Sequence, residues 1–298
     1  MALKIGIIGY GFVGKAVHAG FNNGDNQFLI HDPAYSKSLT IPEIMLSAPQ
    51  LIFVCVPTPP VNVVDIKSGD KTDIGRCDVS IVERTLNKIA KHKNDNSNPI
   101  VCIKSTVPPS FFLGDYESRY GLDIVYNPEF LREQSSVSDF INCDLIVLGG
   151  DQNWCEMVAS FYRNRSLVNI CPYYITAART ASLFKYTLNS YLALKTSFFN
   201  QVFTLFHTLE DTAEEIAAVD NLKRNIQSYD KFTQALRSDH RVGPSHMQVP
   251  GPDGNYGFGG KCFPKDTQAL LKEAEDLDVM FTILKKAVEY NGLIREDI

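Results

Sequence analysis

The stretch "GFGGKCFPKD", Gly257 to Asp266, sets one thiol behind three glycines and just ahead of a proline. Thiol chemistry needs the thiolate, and the positive end of a helix macrodipole stabilises it. Pro264 suits a first helical position, and "KDTQALLKEAEDL" continues as a helix, so Cys262 is expected just outside a helix N-terminus. The glycines let the loop turn sharply and let other groups approach it closely. A tight turn around an ordinary buried cysteine would use the same residues.

A second constellation is built for phosphate. "GYGFVG" places Gly9, Gly11 and Gly14 in G-x-G-x-x-G spacing between a strand and a helix, with Phe12 and Val13 in the same turn. Such glycines allow a tight turn, close approach of a pyrophosphate and close helix–sheet packing, with the helix N-terminus facing the phosphates. Asp32 follows Gly14 by 18 residues, at the end of the next strand, where a carboxylate accepts from a ribose 2′-OH. It would repel a 2′-phosphate, so NAD is expected over NADP; the alternative is a solvated strand-end acid. Two further pairs have helical spacing. Lys185 and Asn189 are four apart on a charge-poor helix, and Asn127-Pro128 could start a helix with Glu129 and Glu133 on one face. Each pair is also what a plain polar helix face or a solvated first turn would contain.

The elements that must position these residues alternate along the first half. "KIGIIGY", "QFLIHD", "QLIFVCVPT", "PIVCIKST", "LDIVYNP" and "DLIVLGG" are apolar runs bounded by turn formers, as in a parallel sheet covered on both faces. "CDVSIVERTLNKIAKH" is a crossover helix with Ser80 and Glu83 at capping-box spacing, and residues 60–77 are expected to form a long, mobile surface loop. After about residue 175 the strand signal disappears. A long helix over Ala177–His207 precedes a second one with Thr212 and Glu215 spaced as a capping box. Helices near Tyr229–Arg237, Lys265–Leu277 and Phe281–Asn291 follow. The fold class is therefore α/β: a Rossmann-type doubly wound sheet over 1–175, then an all-helical central domain with one long helix over 176–298.

Composition narrows the function classes. The 298 residues include 44% hydrophobic and 21% charged, enough to bury sizeable cores. A formal charge of −5 without a basic tract argues against nucleic acid as a partner. Seven scattered cysteines without C-x-x-C spacing suggest reduced thiols in a cytoplasmic compartment, no metal site is expected, and no signal peptide is expected before the first strand. The segment 177–207 carries only Arg179, Lys185 and Lys195 as charges, but its Ser, Thr, Asn and Gln content argues against a membrane span and for burial between domains or subunits.

Taken together, "GYGFVG", "CVPTPP", "KSTVPPS", "YNPEFLREQ", "KYTLNSYLALKTSFFN" and "GFGGKCFPKD" resemble, in order, the UDP-glucose/GDP-mannose dehydrogenase family. The resemblance implies a four-electron oxidation of a nucleotide-sugar primary alcohol to a carboxylate with two NAD per turnover. UDP-glucose to UDP-glucuronate is the first expectation. It also implies the roles. Cys262 matches the nucleophile that forms a thiohemiacetal and then a thioester, and Asp266 the acid that supports it. Lys185 and Asn189 match oxyanion-stabilising donors, while Glu133 and Thr106 match residues that position the hydrolytic water. Thr58 and Thr106 fall on the cofactor side. Glu129, Phe130, Leu131, Lys265 and Gly259 fall on the sugar–phosphate side. Arg241 matches an arginine that reaches a neighbouring subunit's substrate, and together with the charge-poor segment 177–207 this gives the expectation of a homodimer through that helix. Typical members continue into a second Rossmann-like domain that grips the nucleotide, and this sequence stops at Ile298, about where that domain would begin. A short natural form, a truncated chain and one half of a split enzyme all remain open. Two other functions stay in view, a one-step hydroxyacid dehydrogenase that uses Lys and Asn without a cysteine, and a non-catalytic NAD- or sugar-binding subunit.

Overall fold

In the computed structural model, which describes residues 2–61, 75–94, 97–219 and 229–295 (the side chains of 210–219 excepted), the chain opens on β1 (Lys4–Ile8). β2 (Gln27–His31), β3 (Leu51–Val54), β4 (Ile100–Ile103), β5 (Asp123–Tyr126), β6 (Ile146–Gly150) and β7 (Tyr173–Thr176) complete a sheet of order β2-β1-β3-β4-β5-β6-β7. The register sets Ile7 beside Ile30 and Phe53, and Phe53 beside Cys102. Alternation then sends Leu51 and Phe53 to one face and Ile52 and Val54 to the other, and all four are buried. Each such side chain contributes about 1.5–3 kcal/mol on burial, which is why the strands read as unbroken apolar runs.

Helices cover both faces. α1 (Phe12–Phe21) and α6 (Gln152–Arg165) supply Val17, Phe21, Val158 and Tyr162 to one layer. α2 (Ile41–Leu46) and α3 (Ser80–Lys91) supply Ile44, Val82, Leu86 and Ile89 to the other. α6 is capped by the Asp151 carboxylate, which accepts from the Asn153 and Trp154 amides. The short helices α4 (Tyr116–Tyr120) and α5 (Ser136–Ile141) flank β5. The chain divides into two compact units, Met1–Tyr186 and Thr187–Ile298. The long helix α7 (Ala178–Val219) starts in the first and continues in the second, which also holds α8 (Tyr229–Arg237), α9 (Phe263–Asp276) and α10 (Thr282–Ile294).

Several sequence expectations need correction. β6 pairs antiparallel with β5, so the sheet is mixed; a strand buried on both faces carries the same apolar run in either direction. β7 does not read as a strand because it is half exposed, with Tyr174 at 57% and Ile175 at 38%. The Ser80–Glu83 box does not form: Val79 is the N-cap, and the Asp78 carboxylate accepts from the Ser80 amide instead. A capping box forms at Thr40 and Glu43, ahead of α2. The two helices expected on either side of His207 are one continuous helix of 42 residues. The Thr212–Glu215 pair lies outside the described side chains, and residues 62–74 of the expected loop lie outside the described residues. The flanks of that loop pair with each other, the Val61 amide donating to the Arg76 carbonyl at 2.7 Å.

Candidate active site

The strand order reverses direction at β1, with β2 on one side and β3 on the other, and open α/β sheets bind ligands at the carboxyl ends of strands at such a point. The glycine-rich turn sits there. Gly9 has φ +93°, and a β-carbon on it would lie 2.4 Å from the Cys55 carbonyl oxygen. A β-carbon on Gly14 would lie 2.0 Å from the Gly9 carbonyl oxygen, so this glycine permits close packing of α1 on the turn. Gly11 differs: it is the N-cap of α1 with φ −71°, and nothing lies within 4 Å of where its side chain would point. No side chain caps α1, so its first-turn amides, Phe12 and Val13 among them, are available to an anion. Asp32 adjoins the turn, with its two carboxylate oxygens accepting from the Tyr10 amide at 2.6 Å and the Ala34 amide at 2.8 Å. Thr58 and Thr106 lie close together, since their carbonyls accept from the Cys77 thiol at 3.8 and 3.5 Å.

Still in the first unit, the segment after β5 holds a buried ion pair. Lys185 donates to the Glu129 carbonyl at 2.5 Å and to its carboxylate at 3.1 Å, and both residues are at most 6% exposed. The Lys185 ammonium also lies 5.4 Å from the centre of the Phe130 ring. The expected helix at Asn127-Pro128 does not form; residues 127–132 have no helical turn and Glu133 begins only a short 3-10 turn. The Asn127 side chain is committed inward, donating to the Val147 carbonyl at 2.8 Å and accepting from Lys104 at 3.0 Å and Tyr162 at 2.7 Å. The Glu129 carboxylate accepts from the Leu131 amide two residues on, at 2.7 Å. Such side-chain bonds compete with a helical ladder. Glu129 is therefore buried and Glu133 exposed, not stacked on one face.

Lys104 and Tyr162, which hold the Asn127 side chain, are residues that sequence reasoning missed. The available signal was a lone lysine closing the apolar run "PIVCIK". Burial pushes the Lys104 ammonium below its ordinary value, and neighbouring thiols and Glu129 act against that shift.

In the second unit, Cys262 is the half-buried N-cap of α9, and its carbonyl accepts from the Asp266 amide at 2.8 Å. Asp266 is 1% exposed, with one carboxylate oxygen accepting from Lys265 and the other from Asn189, both at 2.5 Å. A buried carboxylate so paired orients the Asn189 amide. Burial pushes the Cys155 thiol up to about 12 and raises Cys102 further, so those thiols are protonated at neutral pH. Arg241 stands at the surface, 79% exposed, paired with Asp239 on its own loop. Gly259 belongs to the loop before Cys262. No disulfide joins the seven cysteines, no helix among the described residues is long and apolar enough to cross a membrane, and no metal-binding cluster occurs among them.

Comparison with known proteins gives the geometry its family. Residues 36–165 match the "UDP-glucose/GDP-mannose dehydrogenase family, NAD binding domain", and residues 179–292 match the central domain of the same family. The chain belongs to the UDP-glucose/GDP-mannose dehydrogenase family. Among the family's named proteins, a UDP-glucose 6-dehydrogenase of Rhizobium meliloti is 32% identical over 257 residues, covering 83% of this chain and 51% of that protein. One from Rickettsia typhi is 30% identical over 246 residues, covering 81% and 49%. The chain thus spans about half the length of these curated relatives. The solved UDP-glucose dehydrogenase of Pyrobaculum islandicum superposes with a TM-score of 0.77 at 25% identity, over 98% of this chain and 68% of that one. A Mycobacterium tuberculosis 3-hydroxyisobutyrate dehydrogenase shares the fold, with a TM-score of 0.68 at 14% identity. The turn at Gly9–Gly14 precedes the matched residues of the NAD-binding domain, and it fits that cofactor on its own geometry. Uncapped α1 amides and the open face of Gly11 suit a pyrophosphate, and the neighbouring Asp32 suits a ribose hydroxyl.

Proposed function

We propose that the chain is the hydride-transfer and thiol-bearing part of an NAD-dependent nucleotide-sugar 6-dehydrogenase, with UDP-glucose going to UDP-glucuronate as the leading substrate. The observation that carries this reading is Cys262 at the N-cap of α9, one turn ahead of an Asp266 carboxylate held by Asn189 and Lys265. Two hydrides leave the same carbon, and NAD is the group that accepts each of them. After the first, the Cys262 thiolate adds to the aldehyde carbon as a thiohemiacetal. Loss of the second hydride leaves a thioester, and water releases the carboxylate and returns the thiolate. Lys185 and Asn189 donate to the oxygen that carries negative charge in these steps, each contribution being on the order of 3 kcal/mol. Glu133 and Thr106 direct the water. Glu129, Phe130, Leu131, Gly259 and Lys265 hold the sugar and its phosphate.

The reading extends to a homodimer in a cytoplasmic compartment. α7 leaves Tyr191 and Phe198 more than half exposed beside an open apolar groove of about 640 Å³ lined also by Leu194, Phe232 and Leu236. A second copy of the chain covers that face, and Arg241 then serves its substrate. The test is the number of NADH formed per sugar consumed, measured with a panel of UDP- and GDP-sugars. Two supports the proposal, one indicates a hydroxyacid-type single oxidation, and none with any substrate refutes catalysis by this chain alone. Cys262→Ser should abolish steady turnover with NAD affinity unchanged, and a serine variant that forms acid at the normal rate refutes the nucleophile.

A further inference from the structure

The loop that delivers Cys262 is held from beneath by α10, through side chains that no reading of the chemistry requires. The Asn291 amide pairs with both backbone groups of Phe258, accepting from its N–H at 2.7 Å and donating to its carbonyl at 2.9 Å. One turn later Arg295 donates to the Asp253 carboxylate at 2.6 Å and to the Tyr256 carbonyl at 3.4 Å. From α7, Asn200 accepts from the Gly257 amide at 2.9 Å. Asn291 is 1% exposed and Arg295 7%. Burial alone would raise the Asp253 carboxyl, but the Arg295 guanidinium and the Asn255 amide hold it below its ordinary value.

The glycines of the loop divide accordingly. Gly257 has φ +73°, and a β-carbon there would sit 2.2 Å from the Asn291 carbonyl oxygen. A β-carbon on Gly259 would sit 2.2 Å from both the central carbon and one terminal nitrogen of the Arg295 guanidinium. Gly260, at φ +76°, meets nothing within 4 Å and alone of the three faces open space. A guanidinium buried against a backbone is costly unless its geometry is defined, and a planar fork defines it better than an ammonium could. Gly257 and Gly259 therefore lack side chains to make room for Asn291 and Arg295, while at Gly260 the space a side chain would fill is open.

We propose that Asn291 and Arg295 are positioning residues that set the Gly257–Gly260 loop and, through it, how Cys262 is presented. Its consequence for turnover rests on the reading of Cys262 as nucleophile, and the test separates the two. In the full chain, the rate of Cys262 modification by iodoacetamide is followed by peptide mass spectrometry for wild type, Asn291→Ala, Arg295→Lys, Arg295→Ala, Gly259→Ala and Gly259→Ala/Arg295→Ala, with circular dichroism as the fold control.

Folded Asn291→Ala and Arg295→Lys should change that rate at least about fivefold with NAD affinity kept. Where turnover is measurable, kcat should fall more than the KM for NAD rises. Gly259→Ala should perturb Cys262 strongly in the wild-type background. In the double variant the added methyl should change little beyond Arg295→Ala itself, because the group it strikes is gone. Wild-type alkylation in both Asn291→Ala and Arg295→Lys, or an equal effect of Gly259→Ala with and without Arg295, overturns the proposal. Unfolding of every variant also overturns it, since that leaves only a structural role. If Cys262→Ser still turns over while these alkylation effects appear, the nucleophile reading fails and the positioning stands.

Discussion

Two glycines of one motif should fail in opposite ways when each is given a single methyl group. At Gly9 the backbone is left-handed, φ +93°, and the methyl would lie 2.4 Å from the Cys55 carbonyl oxygen, a full ångström inside ordinary contact. The conformation costs about 1–2 kcal/mol and the forced shift of the chain after β3 about 1–3 more. Gly9→Ala should thus lose roughly 2–5 kcal/mol of the first unit's stability, lowering its melting midpoint by roughly 4–20 °C. At Gly11, φ −71° suits any residue and the space ahead is open. Gly11→Ala should leave stability unchanged or raise it by about 0.4–1 kcal/mol, through the less flexible unfolded chain. The reading of this turn as the pyrophosphate site predicts that the methyl fills the open approach to it, so NAD affinity should fall at least about tenfold, near 1.4 kcal/mol. Calorimetric unfolding and NAD titration of both variants decide the matter. A Gly9→Ala protein as stable as wild type, or a Gly11→Ala protein that binds NAD normally, refutes the reasoning.

Asp32→Ala should narrow the preference for NAD over NADP, chiefly by weakening NAD; wild-type binding of NADP as tight as NAD would contradict its role. Tyr162→Phe removes a 2.7 Å bond to the buried Asn127 amide oxygen and should cost about 1 kcal/mol in denaturant unfolding, with Lys104 still bonded there. Bonds from the Arg132 guanidinium outweigh burial and, with the Arg132 amide and Ser135, hold the Asp139 carboxyl at about 2. Its folded value lies below its unfolded one, so its stabilisation is complete above the ordinary carboxylate range and is lost as pH falls through about 4 to 2. The stability gap between wild type and Asp139→Asn should close over that window, and a gap independent of pH would rule the linkage out.

Local chemistry was legible along the chain, and long-range commitments were not. The spacing of Gly9, Gly11 and Gly14 and the start of a helix after Cys262 follow from backbone rules acting over a few residues. The fate of Asn127-Pro128 depended instead on Lys104, Val147 and Tyr162, 20 to 35 residues away, and that commitment left Glu129 buried and Glu133 outside. The three glycines before Cys262 looked alike in the sequence; only α10 packed beneath them distinguished Gly257 and Gly259 from Gly260.

By itself, the sequence determined the parts: apolar runs that must be covered on both faces, a glycine-rich turn between a strand and a helix, and one cysteine at a helix start. Tertiary structure decided the partners, giving Lys185 to Glu129, Asn189 to Asp266 and Arg295 to Asp253. It also decided the direction of β6 and the continuity of α7 past His207. The physical reason is that propensity, capping and turn chemistry act on a few neighbouring residues. A buried charge or amide must find its partner wherever the packed chain brings one, and the cost of leaving it unpaired selects the geometry.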